Sequence, residues 1–90
     1  MRNKSSIASS TELRLRRLSV EDAMYKLESH IDATFYAGSR KTRIIHGKGA
    51  GILRECVWRF LSGHPLVQDY YLADVGEGDA GVTIVELVER

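Results

Sequence analysis

Apolar residues along this chain change their period several times, and each change marks an element. Leu13 and Leu15 alternate with Arg14 and Arg16, and the alternation runs on toward Arg17; period two predicts a short strand. Val20, Ala23, Met24, Leu27, Ile31 and Phe35 then fall at helical spacing and form one stripe. Ser19 stands where a helix N-cap is expected, with Asp22 at the capping-box position, and Gly38 supplies a left-handed stop. Thr42, Ile44 and Ile45 predict a second strand that ends at His46. Ile52, Leu53, Cys56, Val57, Phe60 and Leu61 make the stripe of a second helix, closed by Gly63 and Pro65. Val67 to Ala73 predicts a third strand. The Gly- and acid-rich stretch 74–81 is a loop, and Val82 to Val88 predicts a fourth strand, apolar enough on both faces to be central.

The resulting order, β-α-β-α-β-β, predicts an α/β two-layer sandwich with two helices on one face of a four-stranded mixed sheet and a right-handed βαβ crossover. Residues 1–11, MRNKSSIASST, carry an isolated Ile7 among serines and predict a flexible tail; residues 12–90 form the domain.

At 90 residues, 43% hydrophobic and 28% charged, the chain is the size of one small domain, which excludes a multi-domain enzyme. No apolar run approaches the roughly 20 residues of a membrane span, and no secretory h-region is present. The single cysteine, Cys56, cannot pair within the chain, so a reducing, cytoplasmic setting is expected. The net charge of +1 conceals segregation. Residues 1–18 carry Arg2, Lys4, Arg14, Arg16 and Arg17 against Glu12. Residues 38–65 carry Arg40, Lys41, Arg43, Lys48, Arg54 and Arg59 against Glu55. The stretches 19–37 and 66–90 are acidic. Two basic blocks that meet in space make a polyanion-binding face; left apart, they only solvate the surface.

Chemistry has three candidate locations. The first is His46-Gly47-Lys48-Gly49-Ala50-Gly51, which leaves a strand end and enters a helix, the place where ligands sit in open α/β sheets. Gly47 and Gly49 allow close backbone approach to an anion, Lys48 adds a point charge, and His46 is a general acid or base near neutral pH or simply a strand-end residue. The segment is neither a Walker A loop nor GxGxxG. The second is Arg14, Arg16 and Arg17, with Arg43 on the neighbouring strand. These suit a nucleic-acid backbone, or else lay their aliphatic stems across an edge strand. The third is Trp58, about 150° from the centre of its helix stripe at 100° per residue. It shares that side with Arg54, Glu55 and Arg59, and either stacks on a base or partner or folds down over the helix–sheet edge. His30 and His64 lack companions at metal-ligand spacing, and Cys56 reads as a buried core thiol. Asp74, Glu77 and Asp79 form a solvated loop or a divalent-metal site.

The segment RIIHGKGAGILRECVWRFLSGHPLVQDYYLADVGEGDAGVTIVELVER resembles the second half of the small MutS-related (Smr) domain. The resemblance rests on the strand ending in His46-Gly47-Lys48-Gly49, the His64-Pro65-Leu66-Val67 turn and the closing Gly81-Val82-Thr83-Ile84-Val85-Glu86-Leu87. Leu13 to Ala23 resembles the family's first motif, usually Leu-Asp-Leu-(His or Arg)-Gly before a helix. The likeness covers residues 12–89. It implies a fold similar to the C-terminal domain of bacterial translation initiation factor 3. It also implies DNA or RNA as partner, with the ribosome a further one, and a tether to a larger MutS-like ATPase linked to recombination suppression and ribosome rescue. Some family members nick or cleave nucleic acid, so an endonuclease using a divalent metal ion is one expectation; no cofactor is otherwise evident. His46 matches the family's HGxG histidine. Arg14 replaces the family's acid, Arg16 occupies its His-or-Arg position, and Arg17 replaces its closing Gly, which shifts the expectation from cleavage toward binding. The alternative is a non-catalytic protein- or ribosome-interaction module.

Overall fold

In the computed structural model of the protein, which describes residues 11–89, local sequence signals set the element ends. The first helix, α1 (Val20–Tyr36), begins at Ser19, whose hydroxyl accepts the Asp22 N–H at 3.1 Å. It ends at Ala37, after which Gly38 takes φ +91°. The second helix, α2 (Ile52–Ser62), has Gly51 as N-cap at φ +87° and Gly63 as C-cap. The strands are β1 (Thr11–Arg14), β2 (Lys41–Ile45), β3 (Val67–Leu72) and β4 (Val82–Leu87), with a 3-10 turn at Asp79–Gly81. The expected tail lies outside the described residues except for Thr11, the first residue of β1.

The sheet order is β1-β2-β4-β3. β1 and β2 run parallel, and β4 is antiparallel to both neighbours, so β4 is central as its apolar composition predicted. Both helices cover one face. That face holds the main core of Leu15, Leu27, Ile31, Ile44, Val57, Leu61, Val85 and Leu87. The two-residue period of the strands sends their other side chains to the opposite face. There a smaller group, Ala73, Val82 and Ile84 with Ile45, forms an apolar floor.

Two expectations are corrected by packing. The stripe of α2 is rotated: Ile52 is 60% exposed and Cys56 only half-buried, while Val57 and Leu61 are buried and Trp58 packs against the core. The indole finds an edge-on partner in Tyr70, at 5.0 Å between ring centroids, and a hydrogen-bond acceptor on β4. Turning a large aromatic inward buries more surface than Ile52 or Cys56 would at the helix's open end. β1 also stops at Arg14. Leu15 still donates to the Ile45 carbonyl (2.8 Å) and is fully buried, but Arg16 and Arg17 form a turn closed by the Leu18 N–H on the Leu15 carbonyl (3.2 Å).

Candidate functional site

The glycine turn after β2 is pinned from three directions. The His46 and Gly47 N–H groups both donate to the Gly81 carbonyl, at 3.1 and 2.9 Å, which ties the turn to the end of the acidic loop. Gly47 has φ +84°, and a Cβ there would meet the Arg16 side chain at 3.3 Å. Arg16 therefore lies directly over the turn. On the helix side, the Arg54 guanidinium folds back over Gly51.

His46 is the buried member of this site, 5% exposed. Its Nδ1 lies 3.0 Å from the Gly47 carbonyl and its Nε2 2.7 Å from the Thr83 hydroxyl. A carbonyl only accepts, so Nδ1 carries the proton and Nε2 accepts from Thr83. The same Thr83 oxygen accepts the Trp58 indole N–H at 2.8 Å. Burial holds the His46 pKa below its ordinary value; the Gly47 carbonyl pulls it up, and the charge of Arg54 adds to the lowering. The imidazole is thus a neutral brace between the turn and β4. Trp58 is the outer end of that brace, not the exposed stacking platform that helical spacing allowed. The sequence held no signal for Thr83: a threonine in an apolar strand reads as a β-former.

The basic residues distribute around the turn on two sides. On the open-sheet side, Arg16 and Lys48 line a hollow floored by Ile45, Gly47 and Val82. On the helix side, Arg54 and His46 line a smaller one of about 190 Å³ between the turn and α2. Arg54, placed by sequence beside Trp58 but not with the turn, belongs to the site. Its position three residues after Gly51 was the available clue. Arg17 is exposed in the turn after β1 at φ +72°, a left-handed conformation that favours glycine. Arg14 is 74% exposed on the open face of β1, beside Glu12 at 3.5 Å and in register with Ile45. Arg43 lies on the same face one row further from the turn, with its Nε buried and 3.8 Å from Glu12.

The acids do not stay apart from this cluster. Asp79, at φ +55° in the loop after β3, sits 3.2 Å from the Lys48 ammonium. The β4 hairpin returns the acidic loop to the end of β2, which sets its Asp79 beside the basic turn. Among the described residues, no three His, Cys, Asp or Glu side chains come together as a metal-binding set, Asp74, Glu77 and Asp79 included. His30 braces the far end of the sheet: Thr42 donates to the Thr11 carbonyl (3.1 Å), so His30 Nε2 donates to Thr42 (2.8 Å), and burial lowers its pKa. The His64 Nδ1 accepts the Leu66 N–H at 3.1 Å and closes the turn after α2. No helix among the described residues is long and apolar enough to cross a membrane.

The Smr domain family model matches residues 13–88. Among curated relatives, the protein named Endonuclease MutS2 of Pelotomaculum thermopropionicum is 45% identical over 78 residues, which are 87% of this chain and 10% of that protein. Its namesake in Clostridium tetani is 42% identical over 77 residues, 86% of this chain and again 10% of the relative. The chain therefore spans about a tenth of the length of these relatives. The crystal structure of the Smr domain of Thermus thermophilus MutS2 superposes with a TM-score of 0.85 at 33% identity, covering 87% of this chain and 98% of that one. That of YdaL, a stand-alone small MutS-related protein from Escherichia coli, gives 0.81 at 34% identity, covering 89% and 64%.

Proposed function

The chain belongs to the Smr domain family, and on that premise we propose that it is a nucleic-acid-binding domain that grips the phosphate backbone at the turn after β2. One observation carries the reading. Arg16, Lys48 and Arg54 flank a single left-handed glycine turn from both sides, at the end of a strand and the start of a helix. Close backbone approach, a helix N-terminus and cations on two sides suit a phosphodiester. Arg17 and Arg14 extend the basic surface along the end and open side of β1. The likeness to MutS2 proteins supports a place for the domain in a larger MutS-like protein acting on DNA or RNA in the cytoplasm.

A second reading, endonuclease, is favoured by the names of the relatives and by the nearness of His46 to Arg16, Lys48 and Arg54. The cations supply charge neutralisation for a phosphorane. Proton transfer is harder to place, because both nitrogens of His46 are engaged and Arg14 stands where the family's acid is expected. Binding without cleavage is therefore the preferred function.

The test is direct. Labelled DNA and RNA are titrated with the protein over a salt series and incubated with and without Mg²⁺ or Mn²⁺. Binding whose log K falls steeply with log salt, weakened by Lys48→Ala or Arg16→Ala and accompanied by no cleavage, supports the proposal. Cleavage abolished by His46→Ala establishes the nuclease instead. Absence of binding at low salt overturns both and leaves a protein- or ribosome-docking module.

A further inference from the structure

The helix-free face of the sheet is organised in rows. Beyond the row of Gly47 and Gly81 lies Arg14–Ile45–Val82–Ala73, and beyond that Glu12–Arg43–Ile84–Tyr71, each reading across β1, β2, β4 and β3. The second of these rows forms a groove of about 600 Å³ whose rim includes Asp74 and Glu77. Its floor is Ile84. Arg43 stands on one side and the exposed Tyr71 ring on the other. The Tyr71 hydroxyl donates to Glu86 at 2.5 Å, which pushes its pKa up to about 12. The Arg43 Nε is buried without a hydrogen-bond partner, Glu12 being too distant at 3.8 Å.

Arg43 and Gly47 stand four positions apart on one run of chain, β2 and the turn that follows it, at most about 13 Å. The groove and the phosphate-gripping turn therefore lie on one track. Their chemistry differs. The turn is bounded by cations, whereas the groove carries Glu12, Asp74 and Glu77 against Lys41 and Arg43 and repels a phosphate. An apolar floor flanked by a guanidinium and an aromatic ring, with carboxylates at the rim, fits a nucleobase instead. The base lies against apolar and π surface while its exocyclic amino hydrogens meet carboxylate oxygens.

We propose that this groove takes an unpaired base of the strand whose phosphates are held at the turn, so that the domain prefers single-stranded or unstacked nucleic acid to continuous duplex. The proposal rests on the nucleic-acid reading above and adds the substrate class. A base inside a duplex cannot reach a groove set in a flat sheet face without leaving its stack.

The experiment compares fluorescence-anisotropy titrations of the full chain with three probes of equal length: a mixed-sequence single strand, the same strand with abasic central positions, and a blunt duplex. The abasic strand is expected to bind at least about fivefold more weakly than the base-bearing one, the scale of a lost stacking contact. Tyr71→Ala should reduce the base-bearing strand to the abasic level and leave the duplex unchanged, while Tyr71→Phe retains the preference. Tyr71 is on an edge strand and exposed, and a thermal melt confirms that each variant is folded. Equal affinity for the abasic and base-bearing strands, with steep salt dependence and sensitivity to Lys48→Ala intact, overturns the groove and leaves the turn standing. Failure of every probe to bind at low salt overturns the phosphate reading and the groove with it.

Discussion

Arg17 shows how one residue can be locally wrong and still retained. It occupies the third position of the Leu15–Leu18 turn at φ +72°, where a type II turn calls for glycine. Arg17→Gly should raise stability by about 0.5–1 kcal/mol, read from urea unfolding, because it removes the left-handed penalty at an exposed site. It should also lower polyanion affinity, and that trade would explain the arginine. The Trp58–Thr83–His46 chain is the opposite case, in which every polar atom has its partner. Thr83→Val leaves the indole N–H and the imidazole Nε2 unpaired, and should cost about 2–3 kcal/mol in the same measurement. Both His46 and His30 have pKa values lowered by burial. The unfolded chain therefore binds protons more readily than the native one. The stability these residues contribute is fully present above about pH 6.5 and is lost as pH falls from there through their lowered native values. Denaturation midpoints measured at pH 7.5 and 5.5 should show this fall, and His46→Gln or His30→Gln should each flatten it.

At the scale of elements, the loops carry the specification that the helices do not. The acidic loop is docked through Gly78, where an added Cβ would lie 2.2 Å from Val82 Cγ2 at φ +120°. Gly38 has a similar left-handed φ, but open space around its Cα. Gly38→Ala should thus cost about 1 kcal/mol, the conformational penalty alone. Gly78→Ala should cost clearly more, by a thermal shift at least twice as large, because the loop must also move off Val82. Element existence was legible throughout the sequence: the Ser19–Asp22 cap, the Gly38 and Gly63 stops and the composition of β4 all act locally. The rotation of α2 was not. Its stripe is ambiguous between a face led by Ile52, Cys56 and Phe60 and one that includes Trp58, and only the positions of Tyr70 and Thr83 on the facing strands choose between them.

For the whole molecule, the distribution of charge makes a prediction that the net charge of +1 would not. Lys48 is paired with Asp79, and in the proposed function it also meets the incoming phosphate. This exposed pair is worth little to stability, yet the carboxylate must be displaced or bridged when an anion binds. Asp79→Asn should therefore strengthen binding of labelled DNA or RNA by a few-fold at low salt, with the gain shrinking as salt screens it, and should leave the melting temperature nearly unchanged. Unchanged affinity would separate Lys48 from the phosphate contact.

The sequence by itself determined the order of elements, the centrality of β4, the glycine turn with its histidine and lysine, and the family likeness of residues 12–89. All of these are set by short-range periods, caps and motifs. Tertiary structure alone decided which residues share a site. Thr83 lies 37 positions from His46 and meets its imidazole because β2 and β4 pair antiparallel. Asp79 reaches Lys48 because the same pairing brings the loop back. The row of Arg43, Ile84 and Tyr71 exists because the strand order places β4 between β2 and β3. Hydrogen-bonded register between strands distant in sequence carries no local signature, and these contacts become visible only once the sheet is assembled.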